Sequence, residues 1–148
     1  MVLTVIAAAN LGLICGSELN VAAFAHPTLN RMPLEVHIPM RASLARLFGR
    51  VMPFWMTGST ILNVALLFPF GGLNGLNWRL AAAAAGIQVV AIVFSVLAPV
   101  PINNRIINWT LNSLPGDWRA QEHRWDVYHW ARTCGLAVAF VLLLPALG

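Results

Sequence analysis

The sequence predicts an all-α protein, a polytopic membrane four-helix bundle forming one domain over residues 1–148, with two polar connecting segments on its cytoplasmic side. Three observations predict it. Hydrophobic residues make up 59% of the chain and charged residues only 9%, against about 25% charged in an ordinary soluble domain. Four stretches approach or exceed the roughly 20 mostly apolar residues that cross the hydrocarbon layer: residues 2–25, 51–70, 78–98 and 130–147. Short turn-forming segments separate them, Gly71-Gly72-Leu73-Asn74-Gly75 after the second and Pro99-Val100-Pro101 after the third.

The first stretch reads as a retained span. Ala23-Phe24-Ala25 resembles a cleavage site, but no basic residue precedes the apolar run and Glu18 interrupts it. Ala8, Gly12 and Gly16 recur every four residues, so this face is expected to admit a neighbouring helix closely. In the second and third stretches, Ser59, Asn63 and Gln88 are expected to hydrogen-bond between helices. Cys15 and Cys134 lie in apolar runs without CxxC spacing, and both are expected to behave as small buried hydrophobes.

The net charge of +4 rests on nine arginines, with no lysine. A basic balance can mark nucleic-acid binding, but these arginines flank apolar spans; the expected partner is the lipid bilayer and not nucleic acid. Arg31, Arg41, Arg46 and Arg50 lie between spans one and two, and Arg105, Arg119, Arg124 and Arg132 lie between or beside spans three and four. Only Arg79 lies on the other side. The positive-inside rule therefore places both connecting segments in the cytoplasm and both termini outside it.

Glu18 is the most informative position. An ionisable group about 10 Å inside a span costs roughly 2.5 kcal/mol or more unless it is paired, protonated or facing a wet cavity. It reads either as a structural hydrogen bond between helices or as part of a functional pocket. A second signal is the run from Trp118 to Thr133. Wound as a helix, it places Glu122, Asp126, His129 and Thr133 in one stripe about 60° wide. The plain alternative is an amphipathic anchor with solvated charges, in which Trp118, Trp125 and Trp130 sit at the interface. Glu18 favours the pocket, because His129 falls at a comparable depth. Glu18, His26 and His129 are candidate metal ligands, of a kind that suits iron, zinc or copper, although no HExxH, CxxC or paired ExxH motif is present. His37 reads as a surface histidine. Asn103, Asn104 and Arg105 could bind a carbonyl, phenolate or carboxylate, or cap helix ends and meet lipid phosphate.

Several of these segments together resemble a known family. Pro101-Ile102-Asn103-Asn104-Arg105-Ile106 with Trp109, then Asp117-Trp118, and Arg124-Trp125-Asp126-x-x-His129-x-x-Arg132 are similar to the anthrone oxygenase-like integral membrane proteins. Gly16-Ser17-Glu18, His26-Pro27-Thr28-Leu29 and Gly49-Arg50-Val51-Met52-Pro53-Phe54-Trp55 resemble its bacterial members, which implies a bacterial inner membrane. The likeness covers most of the chain and implies four helices. It also implies an oxygenase that oxidises a lipophilic aromatic or polyketide-like compound with dioxygen, as some fungal relatives oxidise anthrones to anthraquinones.

On that reading His129, oriented by Asp126, takes a proton from an acidic C–H or a phenol. Asn103, Asn104 and Arg105 hold the developing oxyanion, and Trp125 and Arg132 complete the substrate-binding set. Glu18 joins the catalytic group. The cofactor is either none beyond dioxygen or a transition metal such as iron or copper, held by Glu18, His26 and His129. Two non-catalytic readings compete. One is a small transporter relaying protons through Glu18, which with so few spans requires a homo-oligomer. The other is an accessory subunit binding a partner helix along Ala8, Gly12 and Gly16.

Overall fold

The computed structural model describes residues 1–148. It is all helix: α1 (Val2–Leu29), α2 (Leu34–Ala65), α3 (Gly75–Leu97), α4 (Pro99–Ile106) and α5 (Trp118–Leu143), with single 3-10 turns at Pro69–Gly71 and Leu144–Leu147. Neighbours around the bundle are α1 with α2, α2 with α3, α3 with α5 and α5 with α1, the α3–α5 contact being the most extensive. The diagonals across the middle are α1–α3 and α2–α5.

Three helices are long and apolar enough to cross a membrane: α1, α3 and α5 with its terminal turn, Trp118–Leu147. The remaining expected span, residues 51–70, does not form a helix of its own. Its apolar residues form only the second half of α2, and after Ala65 the chain turns through a 3-10 segment. The first half of α2, expected as a connecting segment, is helical from Leu34 onward and carries Glu35, His37, Arg41, Arg46 and Arg50. At 1.5 Å per residue its 32 residues run about 48 Å, longer than the ~30 Å hydrocarbon layer. Pro39 and Pro53 lie inside the helix without ending it, because packing against α1, α3 and α4 outweighs the loss of a backbone bond at each. The connecting segment around Asn103 is likewise helical, as α4.

Small residues let the helices approach. Ala7, Ala8, Ala81, Ala84, Ala91 and Ala139 are buried together with Leu11, Ile14, Leu136 and Leu143 in the main core. Gly12 faces Phe140 of α5 so closely that a Cβ there would stand 3.1 Å from the ring. Gly16 has open space around it, so the expected packing stripe is real at Ala8 and Gly12 and ends there. Asn63 donates to Gln88 at 3.3 Å between α2 and α3, as the apolar setting of both amides requires. Outside, Leu13, Phe54, Val90, Val96 and Leu97 are exposed, an apolar surface suited to lipid. Cys15 is half-buried and Cys134 exposed on that surface, so the expectation of two buried thiols fails for Cys134.

α1 is not a uniform helix. Residues Val21–Ala25 form a π turn, which takes up one extra residue and occurs often at functional sites. Glu18 and His26 are eight positions apart, about 80° around an uninterrupted α-helix at 100° per residue. The extra residue removes most of that angle, and both side chains face the bundle interior, Glu18 2% and His26 4% exposed.

Candidate active site

At the polar end, long side chains fill the α2–α5 diagonal where aliphatic residues would leave a gap. His37 and Arg41 lie one turn apart on α2, and Glu122 and Asp126 one turn apart on α5. His37 Nε2 lies 2.7 Å from Glu122 Oε1, and its Nδ1 donates to the Leu29 carbonyl at 2.8 Å. Arg41 Nη2 donates to Asp126 Oδ1 at 2.8 Å, and its Nε lies 3.6 Å from Glu122. His26 Nδ1 donates to the same Asp126 oxygen at 3.0 Å. The surface position expected for His37 is corrected: its side chain is 4% exposed, because α2 begins far enough upstream to carry it under α5. Composition gave no sign of this, nor of Arg41, which counted only towards topology and is the largest fully buried side chain.

One turn deeper, Arg132 grips Glu18 with a fork of hydrogen bonds, Nε to Oε2 at 2.9 Å and Nη2 to Oε1 at 3.0 Å. Such bidentate pairs are among the strongest side-chain contacts, and this one answers the cost of placing Glu18 inside a span. Arg132 also donates from Nη1 to Ser95 Oγ at 3.1 Å and from Nη2 to His129 Nδ1 at 3.1 Å. His129 Nε2 donates to the Glu18 carbonyl at 3.0 Å. A carbonyl only accepts and a guanidinium only donates, so these partners assign His129 as the Nε2–H tautomer with both nitrogens engaged.

The structure thus brings Glu18, Arg132 and His129 together, and separately His26, Asp126 and Arg41. Glu18 and His129 meet as expected, with 3.4 Å between Oε2 and Nδ1. Asp126 does not orient His129. It faces His26 and Arg41, because its place one turn before His129 aims it at the end of α1 and across to α2. The expected ligand set of Glu18, His26 and His129 does not form either. No three His, Cys, Asp or Glu side chains are placed to hold a metal ion: Arg132 takes both Glu18 oxygens, and His26 turns its Nδ1 to Asp126.

Trp125 joins the two groups. Its ring stacks on His129 at 4.7 Å between centroids, tilts against His26 at 4.8 Å, and has the Arg41 guanidinium 5.0 Å from its centre. It is an internal wall, not the interfacial anchor expected. Trp118 packs against His37 and Trp109, while Trp130 is exposed.

On the far side of Trp125 lies a cavity of about 320 Å³ between α2, α3 and α4. Phe48, Met52, Met56, Ile92 and Val96 are among its apolar walls, and Ser95, Asn103, Asn104 and Arg132 are polar groups in its lining. Its size falls at the lower end of the ~300–1,000 Å³ range of ligand pockets. Asn103 Nδ2 donates to the Ala45 carbonyl at 3.0 Å, pinning α4 to α2. Gly49 permits this approach, since a Cβ there would lie 3.1 Å from the Asn103 amide. Arg105 is corrected: one residue beyond the two amides, it faces outward and does not line the cavity. Two residues that sequence reasoning missed, Met52 and Ser95, are legible only once α2 and α3 are set side by side.

The comparisons with known proteins are sparse but direct. No curated protein and no solved structure matches the chain. The anthrone oxygenase family profile matches residues 43–142, about two thirds of the sequence. That stretch contains the cavity, Trp125, Asp126, His129 and Arg132, whereas Glu18, His26 and Arg41 precede it. The chain belongs to the anthrone oxygenase family.

Proposed function

We propose that the protein is a membrane-embedded oxygenase that converts an activated methylene of a lipophilic aromatic, of the anthrone or polyketide type, into a carbonyl. The observation that carries this reading is the apolar cavity whose lining includes Ser95, Asn103, Asn104 and Arg132. Such a cavity favours a flat aromatic body and leaves a few polar groups to fix one oxygen of the substrate. Family membership supports dioxygen as the co-substrate.

The overall change consumes one dioxygen per methylene. Both C–H bonds are lost, one oxygen atom stays as the carbonyl, and the other leaves as water. A base takes one proton from the methylene, and the electron pair moves into the ring system as an enolate-like oxyanion. Arg132 and the amides of Asn103 and Asn104 stabilise that oxyanion. The electron-rich carbon then joins dioxygen to give, after protonation, a hydroperoxide. Loss of the second methylene proton breaks the O–O bond, leaving the carbonyl and releasing the distal oxygen as water. The apolar walls admit both dioxygen and the substrate from the bilayer. The positive-inside rule favours a cytoplasmic polar end, with both termini on the opposite side, in the bacterial inner membrane.

The transporter reading loses its main support, since Glu18 is committed to Arg132 by two hydrogen bonds. The oxygenase reading is tested with purified protein in nanodiscs and an anthrone, following oxygen uptake and quinone absorbance against protein-free autoxidation. One oxygen consumed per quinone formed, at a rate set by protein concentration, is the expected result. No rate above autoxidation across a panel of anthrones would sink it.

A further inference from the structure

Behind Trp125 is a second, much smaller cavity, about 20 Å³ in volume. His26, Arg41, Ala45, Phe48, Asn103 and Trp125 are among its walls, and it shares Phe48, Asn103 and Trp125 with the large cavity. Its volume exceeds the roughly 10–15 Å³ that one water needs, provided polar partners are present. Two are. Arg41 Nη1 is fully buried and has no hydrogen-bond partner, although the side chain is 2% exposed. His26 uses Nδ1 on Asp126, and its Nε2 makes no hydrogen bond within the chain, so the Nδ1–H tautomer leaves a lone pair at Nε2.

The three buried histidines differ in this respect. His37 has both ring nitrogens engaged, on the Leu29 carbonyl and Glu122. His129 has both engaged, on the Glu18 carbonyl and Arg132. Only His26 keeps a nitrogen able to take up a proton, and its other nitrogen faces a carboxylate that steadies the resulting imidazolium. The arrangement is that of an oriented general base.

We propose that this inner chamber holds one water molecule, which carries the substrate's proton to His26 Nε2. The proposal rests on the oxygenase reading of the adjoining cavity. The water accepts a hydrogen bond from Arg41 Nη1 and donates one to His26 Nε2. As the methylene C–H bond breaks, its proton passes to the water oxygen and a water proton passes to Nε2. The electron pair stays on the substrate, and the charge gained by His26 faces Asp126. No oxidant takes part in this step. Asp126 and Arg41 are positioning residues, and water and substrate meet at the lining the two cavities share, Phe48, Asn103 and Trp125.

Because the step precedes dioxygen, it can be read without it. Wild-type protein and an anthrone are incubated anaerobically in heavy water, and deuterium entry at the methylene carbon is followed by NMR. The expected result is exchange well above the buffer rate. In His26→Gln, whose amide accepts no proton, exchange should fall by about 100-fold or more. Ala45→Val, which fills the chamber with two methyl groups, gives an independent test if the first variant fails to fold. His123→Gln, at an exposed position, serves as the unchanged control. Wild-type exchange in a folded His26→Gln or Ala45→Val overturns the proposal. Oxygen uptake without exchange by the wild type overturns it too, while leaving the oxygenase reading standing. Exchange lost in the variants, but without oxygen uptake by the wild type, supports the relay and removes the oxygenase reading. Absence of both overturns both.

Discussion

At the scale of single residues, the polar end is organised by pairing. Seven of the nine arginines, at positions 31, 46, 50, 79, 105, 119 and 124, are exposed, and only Arg41 and Arg132 turn inward. Each inward guanidinium meets a carboxylate, so the cost of removing one partner exceeds the worth of the pair. Breaking a buried pair leaves a stranded charge at about 3–5 kcal/mol, whereas replacing both groups by apolar ones is often neutral. Glu18→Gln should therefore lower stability by roughly that amount, and Glu18→Gln with Arg132→Met should recover much of it. Thermal unfolding in detergent, arranged as a double-mutant cycle, reads the difference. A double variant less stable than either single one would contradict the pairing. Activity should separate from stability here: the double variant folds but loses the cationic group at the cavity. Loss of one such oxyanion contact costs about 10²–10³-fold in turnover, measurable as oxygen uptake with an anthrone.

At the scale of elements, the cavity depends on how closely α4 lies against α2. Gly49 sets that distance, with the Asn103 amide close above its Cα and donating to Ala45 one turn earlier. Gly49→Ala must push the amide by a few tenths of an ångström or break its bond, worth about 0.5–1.5 kcal/mol. The expected outcome is a raised KM for the aromatic substrate with little change in melting temperature. Gly16 supplies the contrast. Its Cβ position is open, so Gly16→Ala should leave the KM alone and stabilise the helix by roughly 0.5–1 kcal/mol. Equal effects from the two substitutions would mean that α4 is not anchored this way. The π turn in α1 is the other element-scale device. Sequence patterning showed a helix through this region, but a single wide turn leaves no periodic signal. Glu18 and His26 were therefore legible as polar residues in an apolar span, and their shared face was not.

At the scale of the whole molecule, charge and apolar surface are arranged along one axis. Eight arginines gather at the end where α1 finishes and α5 begins, and Arg79 stands at the other. With Cys15 and Cys134 replaced by alanine, an impermeant maleimide should label Asn74→Cys on intact cells. It should label Ser113→Cys only after permeabilisation. The reverse pattern would invert the proposed topology. The same axis explains why α2 is not among the three helices that qualify as spans by length and composition. α2 has its apolar half within the bundle, yet its polar half continues as helix beyond the hydrocarbon thickness, capping the site with His37 and Arg41.

Local composition was enough for the all-helical class, the apolar character of the long helices, the arginine bias and the acidic-imidazole stripe of α5. Each depends on residues close in sequence, through hydropathy and a 3.6-residue period. Family resemblance was legible in the Asn103-Asn104 and Trp125-Asp126-His129-Arg132 segments for the same reason. Which carboxylate meets which cation was decided only by tertiary structure. Asp126 and Glu18 each had several oppositely charged or imidazole candidates, and the choice turned on the π turn in α1 and the length of α2. Those features set where helices more than 80 residues apart in sequence bring their side chains. No local pattern of residues encodes that meeting, because it follows from packing the whole bundle.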